Sequence, residues 1–223
     1  MKLSIIIPVH NEERTITEIV DRLRRLNILK EIIIVNDCSR DGSLRLIEAM
    51  PDVRCVSHAV NMGKGAAIRT GLKYITGDIV VIQDGDLEYN PEVFPELMKP
   101  IVDGEVDVVY GSRFLGRTEG MRFLNFVANK FLTILTNVLY GTQITDMETC
   151  YKMIRVSVLK EITLHANRFD FEPEITAKIL KKGYRFMEIP ISYSGRTHEE
   201  GKKIGWKDGL QALWSLVRYR FKD

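Results

Sequence analysis

The amino-acid sequence predicts an α/β fold in which a mainly parallel central sheet is flanked by helices. Short runs rich in isoleucine and valine recur at residues 3–9, 31–36, 53–57 and 78–83. Between them, at about 12–26, 42–50 and 63–74, apolar residues recur at helical spacing. Continuously apolar strands that alternate with helices are typical of a parallel sheet covered on both faces.

The second part of the chain departs from this alternation. Residues 121–139 predict a long helix with a wide apolar face, 172–182 a shorter helix, and 184–193 a strand around Pro190. The last segment, 206–221, predicts a C-terminal amphipathic helix whose apolar stripe is Leu210, Leu213, Trp214, Val217 and Phe221. Basic residues beside that stripe favour a helix that lies in a membrane interface. The alternative, left open, is a helix that packs the stripe on the sheet.

Length and composition limit the functional classes. A chain of 223 residues predicts one domain. A net charge of only +2 argues against a dedicated nucleic-acid binder, so we expect no nucleic-acid partner. The three cysteines show no pairing or metal-binding pattern, and residues 1–9 lack the layout of a signal peptide. Because polar residues interrupt the apolar run at 123–140, we expect a cytoplasmic protein that is at most peripheral to a membrane.

Polar residues follow three of the predicted strands where each strand ends. They are residues 10–12 after the first strand, 36–37 after the second and 84–86 after the fourth. In an open parallel sheet, ligands bind beyond the carboxyl ends of the strands. The sequence therefore predicts that these three loops converge on one binding site.

The acidic pair Asp84 and Asp86 is the strongest candidate for metal binding. In extended chain, residues two apart point the same way, so both carboxylates can face one cation. Gly85 between them removes bulk where a ligand approaches the backbone. Carboxylate oxygens suit Mg²⁺ or Mn²⁺, and Glu88 is a candidate third ligand. The alternative is a solvated turn.

Two further acids and a glycine-rich segment belong to the same predicted edge. Asp37 is suited to accept a hydrogen bond from a nucleobase ring N–H, or else is a turn or N-cap aspartate. Glu12 either belongs to the same site or is a first-turn acid that complements a helix dipole. The run NMGKG at 61–65 precedes a helix and suits a phosphate, but it lacks the spacing of a P-loop. Its glycines also permit close helix packing.

Several motifs occur together in a characteristic order. They are IIIPVHNE (5–12), IVND (34–37), NMGKGA (61–66), DGDLE (84–88), GSR (111–113), TDMETCYK (145–152), FEPEIT (171–176) and RTHEEGKK (196–203). Taken together they resemble the GT-A glycosyltransferases of family 2, and within it the dolichyl-phosphate mannose and glucose synthase branch. The resemblance covers nearly the whole chain.

The resemblance implies a role for each matching residue. The nucleotide-binding set would be Pro8, His10, Glu12, Asp37, Asp84 and Gly85, and the metal ligands Asp84, Asp86 and Glu88. The catalytic set would be Asp86 together with Arg113, Arg196 and Lys202, whose charges would hold phosphates. Within one catalytic domain, we expect residues 1–110 to bind nucleotide-sugar and metal. Residues 111–205 would then serve the acceptor, and 206–223 would form the interfacial helix.

The implied reaction is inverting transfer of mannose or glucose from a GDP- or UDP-sugar to a polyprenyl phosphate, with Mg²⁺ or Mn²⁺. An acceptor phosphate is already ionised at neutral pH, so no general base is required. Residues 197–201, which Arg196 and Lys202 flank, are expected to close over the site. The membrane acceptor leaves room for a separate membrane-anchoring subunit.

Three other readings stay open. A soluble sugar or protein acceptor would need a carboxylate base, for which Asp146 or Glu148 could serve. A nucleotidyltransferase is disfavoured because the first strand lacks a glycine-rich, basic loop after it. A non-catalytic nucleotide-sugar or lipid-binding subunit is disfavoured because binding alone needs no aligned metal-binding pair.

Overall fold

The computed structural model describes residues 1–196 and 206–222, without the side chains of residues 206 and 207. The first elements are β1 (Leu3–Val9), α1 (Ile16–Arg25), β2 (Lys30–Asn36), α2 (Ser43–Glu48), β3 (Arg54–Ser57), α3 (Lys64–Gly71) and β4 (Ile79–Ile82). A 3₁₀ turn (Pro91–Val93) leads to α4 (Phe94–Val102), β5 (Val108–Ser112), β6 (Thr118–Glu119), α5 (Phe123–Tyr140), β7 (Lys152–Arg155) and α6 (Val156–Lys160). The last elements are α7 (Phe171–Lys182), β8 (Phe186–Pro190), β9 (Tyr193–Ser194) and α8 (Trp206–Phe221).

The main sheet has the strand order β3-β2-β1-β4-β7-β5-β8. Strands β1 to β4 are mutually parallel, in the register that pairs Ile5 with Ile32 and with Val81. Only β7 runs antiparallel to its neighbours, β4 and β5, whereas β8 is parallel to β5. The predicted α/β fold with a mainly parallel sheet is therefore confirmed, while β5 and β7 were not predicted.

The first strand shows why the sequence folds this way. Strand β1 lies in the middle of the parallel set, and Leu3, Ile5, Ile6 and Ile7 are fully buried because helices cover both faces. Each such side chain contributes about 1.5–3 kcal/mol by leaving water. Helix α1 turns a stripe at spacing i, i+3, i+4 and i+7 onto this core, formed by Ile16, Ile19, Val20 and Leu23.

A half-buried acid links the starts of β1 and β2 to the segment before β4. At the start of β2, Glu31 accepts hydrogen bonds from Ser4 Oγ at 2.5 Å, from the Thr76 amide at 2.6 Å and from Lys2 Nζ at 3.0 Å. Burial opposes its ionisation, but the bonds from Ser4 and Thr76 prevail and lower the pKa of Glu31 to about 2. This clamp fixes the edge of the sheet opposite the loops that follow β1, β2 and β4.

Helices α5 and α8 pack against each other and leave an apolar surface uncovered. Helix α8 buries Ala212, Leu216 and Tyr219. The Tyr140 hydroxyl of α5 donates to the Leu216 carbonyl at 2.8 Å. The alternative prediction, that α8 packs its apolar stripe on the sheet, is therefore wrong for three residues of the stripe. Leu210, Trp214 and Phe221 are 57–78% exposed.

Helix α5, which packs against α8, also exposes apolar side chains. Six large apolar side chains on its outer face are 46–77% exposed: Phe123, Leu124, Val127, Phe131, Ile134 and Val138. We call these six together with Leu210, Trp214 and Phe221 the apolar platform. Among the described residues, no helix is long and apolar enough to cross a membrane.

Candidate active site

The loops that follow β1, β2 and β4 enclose a cavity of about 370 Å³. Its lining includes every residue predicted for nucleotide and metal, together with one further member of the predicted catalytic set, Arg196: Pro8, His10, Glu12, Asp37, Asp84, Gly85, Asp86, Glu88 and Arg196. The cavity volume lies within the usual range for small-molecule sites. The predicted convergence of three loops on one edge is therefore present in the structure.

Each of the three loops contains a residue in the left-handed region of backbone space. Asn11, Cys38 and Leu87 have φ values of 57°, 57° and 62°, and they are the non-glycine residues with positive φ in the described chain. Such conformations cost energy, in the strained cases about 1–3 kcal/mol, and cluster where loops are shaped for a ligand. This strain marks the same three loops as the polar side chains do.

Two internal cations neutralise the acidic pair. Strand β4 ends at Ile82, so both aspartates lie in the turn beyond it. Lys64 Nζ contacts Asp84 Oδ1 at 2.8 Å, and Arg196 Nη2 donates to Asp86 Oδ2 at 3.0 Å. Burial, followed by the charges of Asp84 and Glu88, raises the pKa of Asp86 to about 7, while Arg196 opposes the shift.

The carboxylate of Glu88 is hydrogen-bonded to the segment 193–196. Its Oε2 accepts from the Tyr193 hydroxyl at 2.7 Å, and its Oε1 from the Arg196 amide at 2.7 Å. Strand β9 also pairs with β6 and bridges to Tyr89, next to Glu88. In this arrangement Glu88 anchors residues 193–196, so its assignment as a third metal ligand stays a prediction.

The acidic pair nevertheless fits a divalent cation. Within residues 1–196 and 206–222, no cluster of three or more His, Cys, Asp or Glu side chains forms a complete metal site. Mg²⁺ typically takes one or two carboxylates and completes its shell with water and substrate phosphates, so two aspartates suffice. Negative charge is concentrated at this point. The pKa of Asp86 is raised, and Lys64 and Arg196 each form an ion pair with one of the two aspartates.

Asp37 has more partners than the sequence indicated. Its carboxylate accepts from the amides of Met62 at 2.8 Å and Gly63 at 2.7 Å, and His58 Nδ1 lies 2.8 Å from Oδ1. His58 is thus held between Asp37 and Thr70 Oγ1, which lies 2.9 Å from its Nε2. Asp37 orients the glycine-rich loop, and Oδ2 retains acceptor capacity toward the cavity.

His10 and Glu12 line the wall formed by β1. The His10 Nδ1 lies 2.8 Å from the Asp37 carbonyl oxygen, which accepts a hydrogen bond in the tautomer that carries the proton on Nδ1. Glu12 accepts from Arg196 Nη1 at 3.0 Å through its side chain, and its amide donates to Ser43 Oγ at 2.8 Å. Glu12 therefore connects the first loop to the end of β9.

Arg113 does not line the cavity. It forms a two-pronged ion pair with Asp146, in which Nε and Nη2 each lie 2.7 Å from a carboxylate oxygen, and its amide donates to the same acid at 3.0 Å. Both side chains are buried. The phosphate-binding role of Arg113 stays a prediction, and the roles predicted for Lys202 and for residues 197–201 fall outside the described residues.

Some lining residues were not assigned to the site from the sequence. Lys64 belongs to the NMGKGA motif, and this motif could have indicated that Lys64 lines the site. Arg168 and Phe169 precede α7 and carry no motif. They reach the cavity because Gly63 has no side chain and lets this segment approach closely. A Cβ on Gly63 would lie 2.4 Å from the Asn167 carbonyl oxygen, so only glycine permits this contact.

A buried ionic chain continues behind the cavity. Lys64 Nζ lies 3.6 Å from Glu172 Oε1, and Glu172 also pairs with Lys152. Nearby, Glu148 Oε1 is buried and has no hydrogen-bond partner among the described residues. Burial raises the pKa of Glu148 to about 7, although the Lys152 ammonium opposes this. Glu148 does not line the cavity.

Comparison with known proteins agrees with this architecture. Residues 4–163 match the profile of Glycosyl transferase family 2. A dolichol-phosphate mannosyltransferase of Pyrococcus furiosus is 28% identical over 98% of this chain, which spans only 64% of that relative's length. An undecaprenyl-phosphate mannosyltransferase of Micrococcus luteus is 26% identical over 99% of both chains.

A solved structure matches the whole chain. Glucosyl-3-phosphoglycerate synthase of Mycobacterium tuberculosis, in complex with Mn²⁺, uridine diphosphate and phosphoglyceric acid, aligns with a TM-score of 0.79 at 20% identity. The alignment covers 100% of this chain and 79% of the other. At this identity the likeness establishes the fold, which is GT-A. The profile match, over more than half of the sequence, establishes the family: the chain belongs to glycosyl transferase family 2.

Proposed function

We propose that this chain transfers a hexose, mannose or glucose, from a GDP- or UDP-sugar to a polyprenyl phosphate, with inversion and with Mg²⁺ or Mn²⁺. The observation that carries the proposal is the cavity in which Asp84 and Asp86 lie together with Lys64 and Arg196. Two curated relatives are named for mannosyl transfer to polyprenyl phosphates.

The described residues supply binding and charge rather than covalent chemistry. Pro8, His10 and Asp37 would line the nucleoside end, and Asp84 and Asp86 would hold the metal, which neutralises the departing diphosphate. Lys64 and Arg196, which contact these two aspartates, would add positive charge beside the diphosphate. Direct attack on an α-linked donor inverts the anomeric carbon and gives a β-linked lipid-phosphate sugar.

An acceptor phosphate fits the described part of the cavity, where each lining carboxylate is already held by a hydrogen bond or an ion pair. Asp146 is fully buried and carries the Arg113 ion pair, so it cannot take a proton without breaking that pair. A phosphate monoester is ionised at pH 7 and attacks without such help. What remains for the protein is in-line placement and stabilisation of the leaving group.

The apolar platform provides a place for the membrane that holds such an acceptor. Apolar patches of this kind are rare on proteins that contact only water. Basic residues flank the α8 part of the platform: Arg218, Arg220 and Lys222 are exposed. An apolar face bordered by cations fits the interface of an anionic bilayer. We therefore propose peripheral binding at the cytoplasmic face, with or without an anchoring subunit.

The membrane part has a direct test in vesicle co-sedimentation. Wild type should sediment with vesicles that contain anionic lipid, and Ile134→Glu with Trp214→Glu should remain in the supernatant. The matched control is Leu115→Glu, an exposed apolar residue outside the platform. If the double variant sediments like wild type, the platform is not the docking surface.

A soluble acceptor is the second candidate, and Glu148 is the observation that favours it. A carboxyl whose pKa is about 7 suits a general base toward a sugar hydroxyl. The M. tuberculosis structure with phosphoglyceric acid also shows that the GT-A fold accommodates soluble acceptors. The position of Glu148 outside the cavity lining ranks this candidate second.

The deciding experiment is a panel of radiolabelled UDP- and GDP-sugars, with a short polyprenyl phosphate or a soluble sugar as acceptor, with and without Mn²⁺. We expect label in the lipid fraction only when metal is present, and strongly reduced transfer by Asp86→Asn. Undiminished turnover of that variant, or transfer that persists in excess EDTA, would refute the metal assignment. Transfer to the soluble acceptor alone would favour the second candidate.

A further inference from the structure

Arg196 bridges two acids that belong to different loops. Its guanidinium donates to Glu12 Oε2 at 3.0 Å and to Asp86 Oδ2 at 3.0 Å. The side chain is only 18% exposed, and Nε is buried without a partner among the described residues. A buried donor without an acceptor is costly, so the guanidinium is incompletely satisfied in this position.

Two other cations, Lys64 in the cavity lining and Arg113 outside it, are held differently. Lys64 contacts Glu172 as well as Asp84, so it keeps a counter-ion if Asp84 turns to another partner. Arg113 has Asp146 to itself, away from the cavity. Of these three cations, Arg196 meets two conditions together. It binds an oxygen of the predicted metal-binding pair, and its Nε has no partner among the described residues.

Arg196 and a divalent cation compete for the same carboxylate. A metal that coordinates both aspartates needs an oxygen of Asp86, whose Oδ2 accepts from Arg196 Nη2 at 3.0 Å and whose Oδ1 accepts from the Glu88 amide at 3.1 Å. Two positive groups on one carboxylate repel each other strongly in a partly buried site. The guanidinium and the metal therefore weaken each other's binding to Asp86.

The backbone allows the side chain to leave while its amide stays in place. The Arg196 amide donates to Glu88 Oε1, and Glu88 is fixed in turn by the Tyr193 hydroxyl. Rotation about the side-chain bonds alone would free the guanidinium from Asp86. Arg196 would then remain tethered at the cavity wall, where a diphosphate gives it two negatively charged oxygens.

We propose that Arg196 occupies the place of the divalent cation in the donor-free protein, and that the two exchange when donor and metal bind. The departing guanidinium then becomes a ligand of the donor's phosphates. Until the exchange, the Arg196 guanidinium supplies the positive charge that faces Asp86. The inference rests on the proposed metal-dependent use of a nucleoside diphosphate.

The first test measures Mn²⁺ binding to the donor-free protein from the free-ion signal in electron paramagnetic resonance. Arg196→Gln should bind Mn²⁺ about tenfold more tightly, because the competing state has been removed. The matched control is Arg22→Gln, which removes a similar two-pronged contact, with Glu92, far from the cavity. Equal affinity of wild type and Arg196→Gln, or no binding by either protein, overturns the proposal.

A second measurement separates exchange from a simple change of charge. In wild type, the Nε–H signal of Arg196, assigned with the Arg196→Lys variant, should shift and exchange faster with water when Mg²⁺ is added. The signal of Arg113, held by Asp146, should not move. If Arg196→Gln binds Mn²⁺ more tightly but the Arg196 signal of wild type does not move, the variant acts only by removing a positive charge. That result overturns the exchange. Because neither measurement uses donor or acceptor, failure of glycosyl transfer would leave these results unaffected.

Discussion

The ion pair between Arg113 and Asp146 provides the sharpest test of how the second half of the chain is held together. The Arg113 side chain is 6% exposed and that of Asp146 is 0% exposed, and three hydrogen bonds join the two residues. The change Asp146→Asn keeps the shape but removes the negative charge. It leaves a buried guanidinium without its counter-ion, which costs about 3–5 kcal/mol.

For a chain of this length, each kcal/mol lowers the melting temperature by about 2–4 °C, so Asp146→Asn should lower it by about 6–20 °C. Thermal and urea unfolding, monitored by circular dichroism, give the free energy of unfolding. The matched control is Asp107→Asn, because Asp107 binds Arg185 in the same two-pronged manner, at 3.2 and 3.0 Å. Arg185 is 58% exposed, so this control should cost less than about 1 kcal/mol.

A double variant tests the cause. Arg113→Leu alone leaves Asp146 buried and unpaired, whereas Arg113→Leu with Asp146→Leu removes both charges. The double change should therefore cost less than the sum of the two single changes. If Asp146→Asn costs no more than Asp107→Asn, or if the single costs simply add, the buried pair does not have the structural role assigned to it.

Three further outcomes are expected. Because the pKa of Glu31 is lowered to about 2, its ionised form stabilises the fold above pH 4.5, and this stability is lost as the pH falls towards 2. Glu31→Gln should thus cost about 1–2 kcal/mol at pH 7 in urea unfolding, and the difference from wild type should vanish near pH 2. Glu148→Gln should leave kcat for a lipid-phosphate acceptor within about threefold, but should lower it about 10²–10⁴-fold if a hydroxyl is the true acceptor. Gly65→Ala, whose Cβ would lie 2.6 Å from the Ala166 carbonyl, should cost about 1–3 kcal/mol, whereas Gly209→Ala, with open space around it, should stabilise helix α8.

Local sequence patterns were sufficient for β1, β2 and β4, because each contains an apolar run that pairs with a parallel neighbour, and for the short edge strand β3, whose Val56 pairs with Val35. They were insufficient for β7, which starts at the buried Lys152 and enters the sheet antiparallel between β4 and β5. Nothing in a four-residue segment indicates that position. Which face of α8 is buried was also out of reach, since Leu216 and Trp214 are equally apolar and only the packing on α5 and α7 distinguishes them.

The same limit applies to the site. The motifs led to Asp37, Asp84 and Asp86 because these residues directly follow strands. They did not reveal that Arg196 reaches Asp86 across 110 positions of the chain, or that His58 supports Asp37. Contacts of this kind depend on the β6–β9 pairing and on loop shape, which a single sequence does not encode in any local pattern.

The charges around the cavity lead to a last prediction, about how nucleotide and metal bind. Five carboxylates line it, those of Glu12, Asp37, Asp84, Asp86 and Glu88, against the cations Lys64, Arg168 and Arg196 within the described residues. A nucleoside diphosphate is itself an anion, so its entry into this acidic cavity is opposed unless a divalent cation enters with it. Binding of the two should therefore be coupled, and by linkage the coupling is reciprocal: Mg²⁺ should tighten GDP or UDP binding by the factor by which the nucleotide tightens Mg²⁺ binding, about tenfold or more. Isothermal titration of each ligand with and without the other measures both factors, and nucleotide binding that is equally tight in EDTA would contradict the argument.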